Sequence, residues 1–392
     1  MFQVIPLILL LSSPSLVIAK DAVELLQFDN FGYTGAYSPV SALNDIYSDD
    51  CSCQLSPNQV TFSGPNTPLN EEVSVHFRGP LILRKFASYV SDGYVYGEDS
   101  SGNWNRKSYY DSESGTSENI TFLTRAGKNS SCLGLGLTYA DKSGIKAANS
   151  STVLAKDSLI NSNDEFAIFT NISCQSSGLN NDCGVYRPDI PAYHGFYGTT
   201  KMFLFEFQMP NETHTSPEIS NYNMPAIWLL NAQIPRTAQY SLNVNCSCWR
   251  SGCGEFDIFE VKNKTEYLQL SSTIHDYQGT ADIESGLAIN DYIERNLTGT
   301  MIGGVTFDSK GVATVWVSNS TSFNETLAAS DVNSWNKDVA EAQTTSLASA
   351  SLASKTDGAS TSSSHSKKGD ALAYEPSTLI NAIAAFLAMW VI

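Results

Sequence analysis

Gly254-Glu255-Phe256-Asp257-Ile258-Phe259-Glu260 interleaves three acids with three large apolar residues. On a helix, acids at i, i+2 and i+5 spread around the cylinder, so an exposed acidic helical face explains them poorly. On a strand Glu255 and Asp257 share a face, because side chains alternate with a period of two. Glu260 points the other way on a regular strand. One extra residue in a β-bulge between Asp257 and Glu260 returns it to the shared face. The spacing therefore predicts a bulged strand with three carboxyls on one side and Phe256 and Ile258 in the core behind. Four strand steps cover about 13 Å, so bringing the outer two carboxyls together requires a sharply curved sheet.

The flanking sequence has the same β character. In Val73 to Arg78, Val73, Val75 and Phe77 alternate with Ser74, His76 and Arg78, which predicts one apolar and one polar face. Met202 to Met209 puts Phe203, Phe205 and Phe207 on one parity. The other parity runs from Met202 and Leu204 to Glu206 and Gln208, so one face is deep and the other opens toward water. Val312 to Val317 is β-branched and aromatic, with a turn at Asp308-Ser309-Lys310-Gly311 before it. Long helical periodicity is scarce. Many short strands with aromatic cores predict an all-β sandwich of the jelly-roll kind.

The ends and the surface indicate the secretory pathway. Residues 1–19 read as a signal peptide, with an apolar centre at Leu7 to Leu11 and small residues before a cleavage site after Ala19. Residues 20–70 form an N-terminal Cys-containing segment, and residues 71–335 the β domain. Residues 336–369 are a Ser/Thr-rich linker with too few large apolar residues to bury a core. Residues 370–392 combine a polar spacer with an apolar tail, which predicts a GPI-attachment signal with Gly369 as the attachment residue. The mature chain then sits on the outer leaflet through lipid. Sequons at Asn119, Asn129, Asn149, Asn171, Asn211, Asn263, Asn296, Asn319 and Asn324 predict a glycan-bearing surface. Asn245 also starts a sequon, but Cys246 crowds it.

The eight cysteines read as disulfides in that compartment. Cys174 with Cys183 is a plausible local loop, and Cys246, Cys248 and Cys253 are placed to clamp the entry to the acidic strand. A metal reading of the Cys-x-Cys pairs is weaker, since no matching His pair lies nearby. No metal or cofactor is expected. A formal charge of −17 argues against nucleic acid and against an electrostatic hold on anionic lipid. It suits a monomer with a neutral partner.

Glu-x-Asp-x-x-Glu is similar to the catalytic motif of family-16 glycoside hydrolases in its bulged form. Pro225-Ala226-Ile227-Trp228-Leu229-Leu230 resembles the strand before that motif. His194-Gly195-Phe196-Tyr197-Gly198 followed by Lys201 to Pro210 looks like the preceding strand pair. Thr273-Ile274-His275-Asp276-Tyr277-Gln278-Gly279 looks like the downstream His strand. The whole chain resembles fungal GPI-anchored cell-wall proteins described as probable circularly permuted 1,3-β-glucanases, and Leu81 to Val90 is the candidate for the permuted strand. Met224 departs from the family's usual aromatic before the Pro-Ala strand.

The resemblance implies a concanavalin-like fold and a retaining enzyme acting on cell-wall β-1,3-glucan. Glu255 would be the nucleophile, Glu260 the general acid/base, and Asp257 a tuner between them. A sugar acceptor in place of water would make the protein a transglycosylase or cross-linking transferase. A wall protein that binds glucan without turnover is the non-enzymatic alternative. Trp228, Trp249, His275 and Tyr277 are candidate sugar contacts. Trp228 reads equally as core, and His275 nearly equally as a buried, hydrogen-bonded histidine.

Overall fold

The computed structural model describes residues 20–214, 219–337 and 342–347. The signal segment 1–19, Gly369 and the rest of 348–392 lie outside the described residues. Two large sheets face each other. The first has the order Ala22–Val23, Tyr292–Glu294, Gln269–His275, Glu255–Glu260, Ala226–Asn231, Val73–Arg78, Glu165–Phe169, Thr121–Thr124, Thr138–Ala140 and Ala147–Ala148. The second has the order Thr116–Glu118, Trp104–Asp111, Leu81–Ser91, Lys201–Gln208, Met301–Phe307, Ala313–Val317, Leu25–Asp29 and Ala342–Ser346. This is the all-β sandwich expected from the sequence. The candidate permuted strand, Leu81–Ser91, is central to the second sheet and pairs antiparallel with Lys201–Gln208.

The core between the sheets is aromatic. Phe77, Ile227, Leu229, Phe256, Ile258 and Phe259 from the first sheet meet Phe203, Phe205, Phe207 and Phe307 from the second. Ring centroids lie 5.2 Å apart for Phe207–Phe259 and 5.4 Å apart for Phe256–Phe307. Such spacings suit edge and offset packing of ring quadrupoles. Met202 and Leu204 point the other way, as their parity predicts. They join a second cluster with Trp104, Trp316 and Trp335, and the helix Ala329–Lys337 supplies Ala329, Val332 and Trp335 to it. Among the described residues no helix is long and apolar enough to cross a membrane.

Two sequence expectations need correction. Ser74, His76 and Arg78 do not face water; all three are buried. Their strand is central to the first sheet, and the His76 ring lies 5.2 Å from Trp228 and 6.5 Å from Phe169. His194 to Gly198 is not a strand. It contributes an isolated bridge from Phe196 to Val73. Gly195 lies so close to that backbone that a Cβ would come within 2.7 Å of the Val73 carbonyl oxygen.

All eight cysteines are paired: Cys51–Cys132, Cys53–Cys246, Cys174–Cys183 and Cys248–Cys253. The Cys-x-Cys sulfurs are thus committed to disulfides. The N-terminal segment is bound into the body at several points. Leu25–Asp29 lies between Ala313–Val317 and Ala342–Ser346 in the second sheet. Tyr33, Tyr37 and Phe62 pack on Ala226, Trp228 and Leu230, on the outer face of the first sheet.

Candidate active site

Glu255–Glu260 lies between Ala226–Asn231 and Gln269–His275, antiparallel to both. Against the second neighbour the register runs Glu255↔His275 and Asp257↔Thr273, then shifts to Glu260↔Ser271. Against the first it shifts between Ile227 and Trp228. The shift on both sides is the bulge that the acid spacing requires. Ile258 and Phe259 both enter the core, so the chain spends its extra residue there and Glu260 returns to the face of Glu255 and Asp257. The strand is entered through Gly254, whose φ of +100° and 2.9 Å clearance to Leu69 and Pro68 leave no room for a side chain.

The disulfide Cys248–Cys253 closes the turn just before the strand and fixes Trp249 over it. Trp249 donates its indole N–H to a Glu255 carboxylate oxygen. His275 donates from Nδ1 to the Ile283 carbonyl at 2.7 Å and from Nε2 to Asp257 Oδ2 at 3.0 Å. A ring that donates from both nitrogens carries both protons. Burial opposes that charge, but the Asp257 hydrogen bond and the charges of Asp257 and Glu255 raise the His275 pKa to about 10. On the other side Arg78 Nη2 lies 3.2 Å from Glu260 Oε1 and its Nε donates to the Met224 carbonyl at 2.8 Å.

These charges nearly balance. Three carboxyls face the His275 imidazolium and the Arg78 guanidinium, so one bound proton makes the cluster neutral. Burial, then the charge of Asp257, pushes Glu255 up to about 8 against the pull of His275 and Trp249. The same two causes push Glu260 up to about 7 against Arg78. A site that holds one carboxyl protonated beside an ionised one is equipped for paired acid and nucleophile chemistry.

The predicted sugar contacts separate. Trp228 is 4% exposed and belongs to the cluster under the N-terminal segment. It is a core residue of this face and is not available as a platform. Trp249 is half-buried and bonded to Glu255, and Tyr277 is 37% exposed with its hydroxyl on the Arg250 carbonyl. His275 acts on Asp257. Sequence reasoning missed Arg78, which was read only as one residue of the strand's polar face. It also missed Tyr240, which is partly exposed. Tyr240 donates to Glu165 at 2.9 Å and stacks under Arg125, whose guanidinium lies 4.1 Å from its ring. The only sequence signal for Arg78 was the alternation itself, since Glu165, Arg78, Ala226 and Glu260 fall in one register row. All nine predicted sequon asparagines are exposed.

Asp276, next to His275, is buried, and its Oδ2 has no hydrogen-bond partner among the described residues. Burial raises its pKa from 3.8 to about 7. The native state therefore holds a proton that the unfolded chain releases, so stability falls as pH rises from about 4 to about 7. The full shift corresponds to up to about 4 kcal/mol. Asp276→Asn should flatten that part of the pH–stability curve, as urea unfolding at a series of pH values would show. An unchanged slope would count against it.

Comparisons with known proteins match nearly the whole chain. The family described as cell wall protein YJL171C/Tos1 matches in two parts, its N-terminal model over residues 24–91 and its C-terminal model over residues 102–335. A Candida albicans protein named probable circularly permuted 1,3-beta-glucanase PGA52 is 67% identical over 374 residues, 95% of this chain and 96% of its own. Probable circularly permuted 1,3-beta-glucanase YJL171C of Saccharomyces cerevisiae is 51% identical over 79% of each chain. The S. cerevisiae protein named probable circularly permuted 1,3-beta-glucanase TOS1 is 40% identical over 80% of this chain and 90% of its own. No solved structure matches. With both family models matched in order and identity this high along nearly the whole chain, the protein belongs to the YJL171C/Tos1 family of cell wall proteins.

Proposed function

We propose that this protein is a retaining glycoside hydrolase that acts on β-1,3-glucan in the cell wall. The observation that carries the reading is the bulge that brings Glu260 onto the face of Glu255 and Asp257. The names of the relatives support the substrate class. In the first step the Glu255 carboxylate attacks the anomeric carbon while Glu260 gives its proton to the departing glycosidic oxygen. In the second step Glu260 takes a proton from water, which displaces Glu255 from the sugar. Asp257, hydrogen-bonded to His275, lies between the two glutamates, and its charge raises the pKa of both. The leader ending at Ala19 and lipid attachment at Gly369 would put this activity on the outer face of the plasma membrane and in the wall.

The full secreted chain incubated with reduced laminari-oligosaccharides tests the reading. Mass spectrometry should show new chain lengths, and NMR should show the β-anomer first. Shorter products mark water as acceptor and longer ones mark sugar. Unchanged oligosaccharides would sink the catalytic reading for this substrate.

The pH profile offers a further test. Activity should fall as pH rises through the raised pKa of the Glu255–Glu260 pair, because the pair loses the one proton that Glu260 gives to the leaving group. Arg78→Met removes a cation that favours ionised Glu260, so the alkaline limb of kcat/KM should move up by about 1–3 pH units. Arg78→Lys keeps the charge and should leave the limb near its place. A limb that stays put in Arg78→Met would show that Arg78 does not tune the acid.

A further inference from the structure

A cavity of about 750 Å³ opens away from the acids, at the ends of both sheets. That volume suits a small ligand. Its wall is largely apolar, with Val90, Phe196, Ile172 and Tyr197 among its lining residues. Ile172 is 61% exposed and Tyr197 70% exposed, and both line this one cavity. Ser88 also lines the cavity; its hydroxyl is buried and has no hydrogen-bond partner among the described residues. Two sequon asparagines, Asn119 and Asn171, stand on the rim.

We propose that this cavity seats the N-linked glycan of Asn171, whose first sugars lie on Tyr197 and Ile172 as a fixed cover. The two rim asparagines differ. Asn119 donates its side-chain N–H to the Lys107 carbonyl at 2.9 Å and sits at a φ of +55° in a tight turn. Asn171 is exposed and makes no side-chain hydrogen bond among the described residues. The chain on either side of Asn171 is held: Thr170 N–H donates to the His194 carbonyl at 3.0 Å, and His194 N–H donates to the Ile172 carbonyl at 2.8 Å. The attachment point is therefore fixed directly opposite the segment that carries Phe196 and Tyr197. Attachment forms a bond from Asn171 Nδ2 to C1 of the first N-acetylglucosamine. It breaks the C1–O bond to the lipid diphosphate donor, and the amide gives up one proton.

The chemistry of the core disaccharide fits the wall. Pyranose C–H faces and acetamide methyls pack on aromatic and aliphatic side chains, and the acetamide can supply a partner to a buried hydroxyl. A tethered ligand acts at an effective concentration in the millimolar range, so even weak stacking keeps it seated. No free sugar has that advantage.

The test uses the secreted chain made in a yeast host and digested, without denaturation, by an endoglycosidase that cuts between the two core N-acetylglucosamines. Site-by-site mass spectrometry follows the cleavage. The Asn171 glycan should be cut at least about tenfold more slowly than those at Asn296 and Asn324. Tyr197→Ala should restore rapid cutting at Asn171 alone, while the acid site keeps its activity. Three results would overturn the proposal: an unoccupied Asn171, cutting at Asn171 as fast as elsewhere, or protection that survives Tyr197→Ala. A fourth is binding of free laminari-oligosaccharides to Asn171→Gln that Tyr197→Ala abolishes, which would assign the cavity to glucan.

Discussion

Glu255→Gln should lower turnover of laminari-oligosaccharides by more than about 10⁴-fold, the scale on which loss of a covalent nucleophile is felt. The amide oxygen can still accept the Trp249 N–H, so the turn closed by Cys248–Cys253 should keep its shape. Oligosaccharide binding should survive within a few-fold. Stability should not drop either, because burial already disfavours the charged carboxylate that the substitution removes. Activity and binding together make the test sharp. Loss of both would point to a damaged site, and loss of neither would leave Glu255 outside the chemistry. Azide adds a stereochemical readout. In Glu255→Ala it can enter the space the carboxylate leaves and displace the leaving group once, which gives the α-glycosyl azide. A β-product from that variant would mean that Glu255 is not the nucleophile.

The acid strand was legible in the sequence because its chemistry is unusual for a strand. Three carboxyls at i, i+2 and i+5 demand a bulge, and consecutive Ile258 and Phe259 give the extra residue somewhere apolar to go. The two faces of Lys201–Gln208 were readable for the same reason, since parity alone separates its phenylalanines from Met202 and Leu204. Arg78 was not legible. Alternation tells which residues share a face, but it does not tell what covers that face. The polar side of Val73–Arg78 is buried by neighbouring strands and by side chains distant in sequence, among them Trp228 and Phe169. The placement of residues 20–70 was hidden for a related reason. Leu25–Asp29 finds its sheet partners at Ala313–Val317 and Ala342–Ser346, near the far end of the described chain, and the Cys51 and Cys53 disulfides reach to Cys132 and Cys246. Long-range pairing of this kind leaves no local pattern. Trp228 shows the limit from the other direction. Its very apolar strand left it equally readable as core or as sugar platform, and Tyr33, Tyr37 and Phe62 in its cluster make it core.

Glu260→Ala should cost about 10²–10⁴-fold on laminari-oligosaccharides, the range of general acid catalysis. The loss should depend on the leaving group, which distinguishes it from the Glu255 variant. An aryl laminaribioside with a good phenolic leaving group needs no proton to depart. Glu255 should therefore still attack it, and the first step should run close to the wild-type rate. The second step then lacks a base to activate water, so the glycosyl-enzyme should accumulate and appear in intact-mass spectra as protein plus sugar. Azide needs no base. It should relieve the block and give the β-glycosyl azide, the opposite anomer from that formed in Glu255→Ala. Removing Glu260 also leaves Arg78 without its carboxylate partner 3.2 Å away, so some instability is expected. The ratio between aryl and oligosaccharide substrates is immune to that loss, since both are read on the same folded protein. If both substrates lose equally and no glycosyl-enzyme builds up, Glu260 is not the acid/base, and the ion pair with Arg78 is structural.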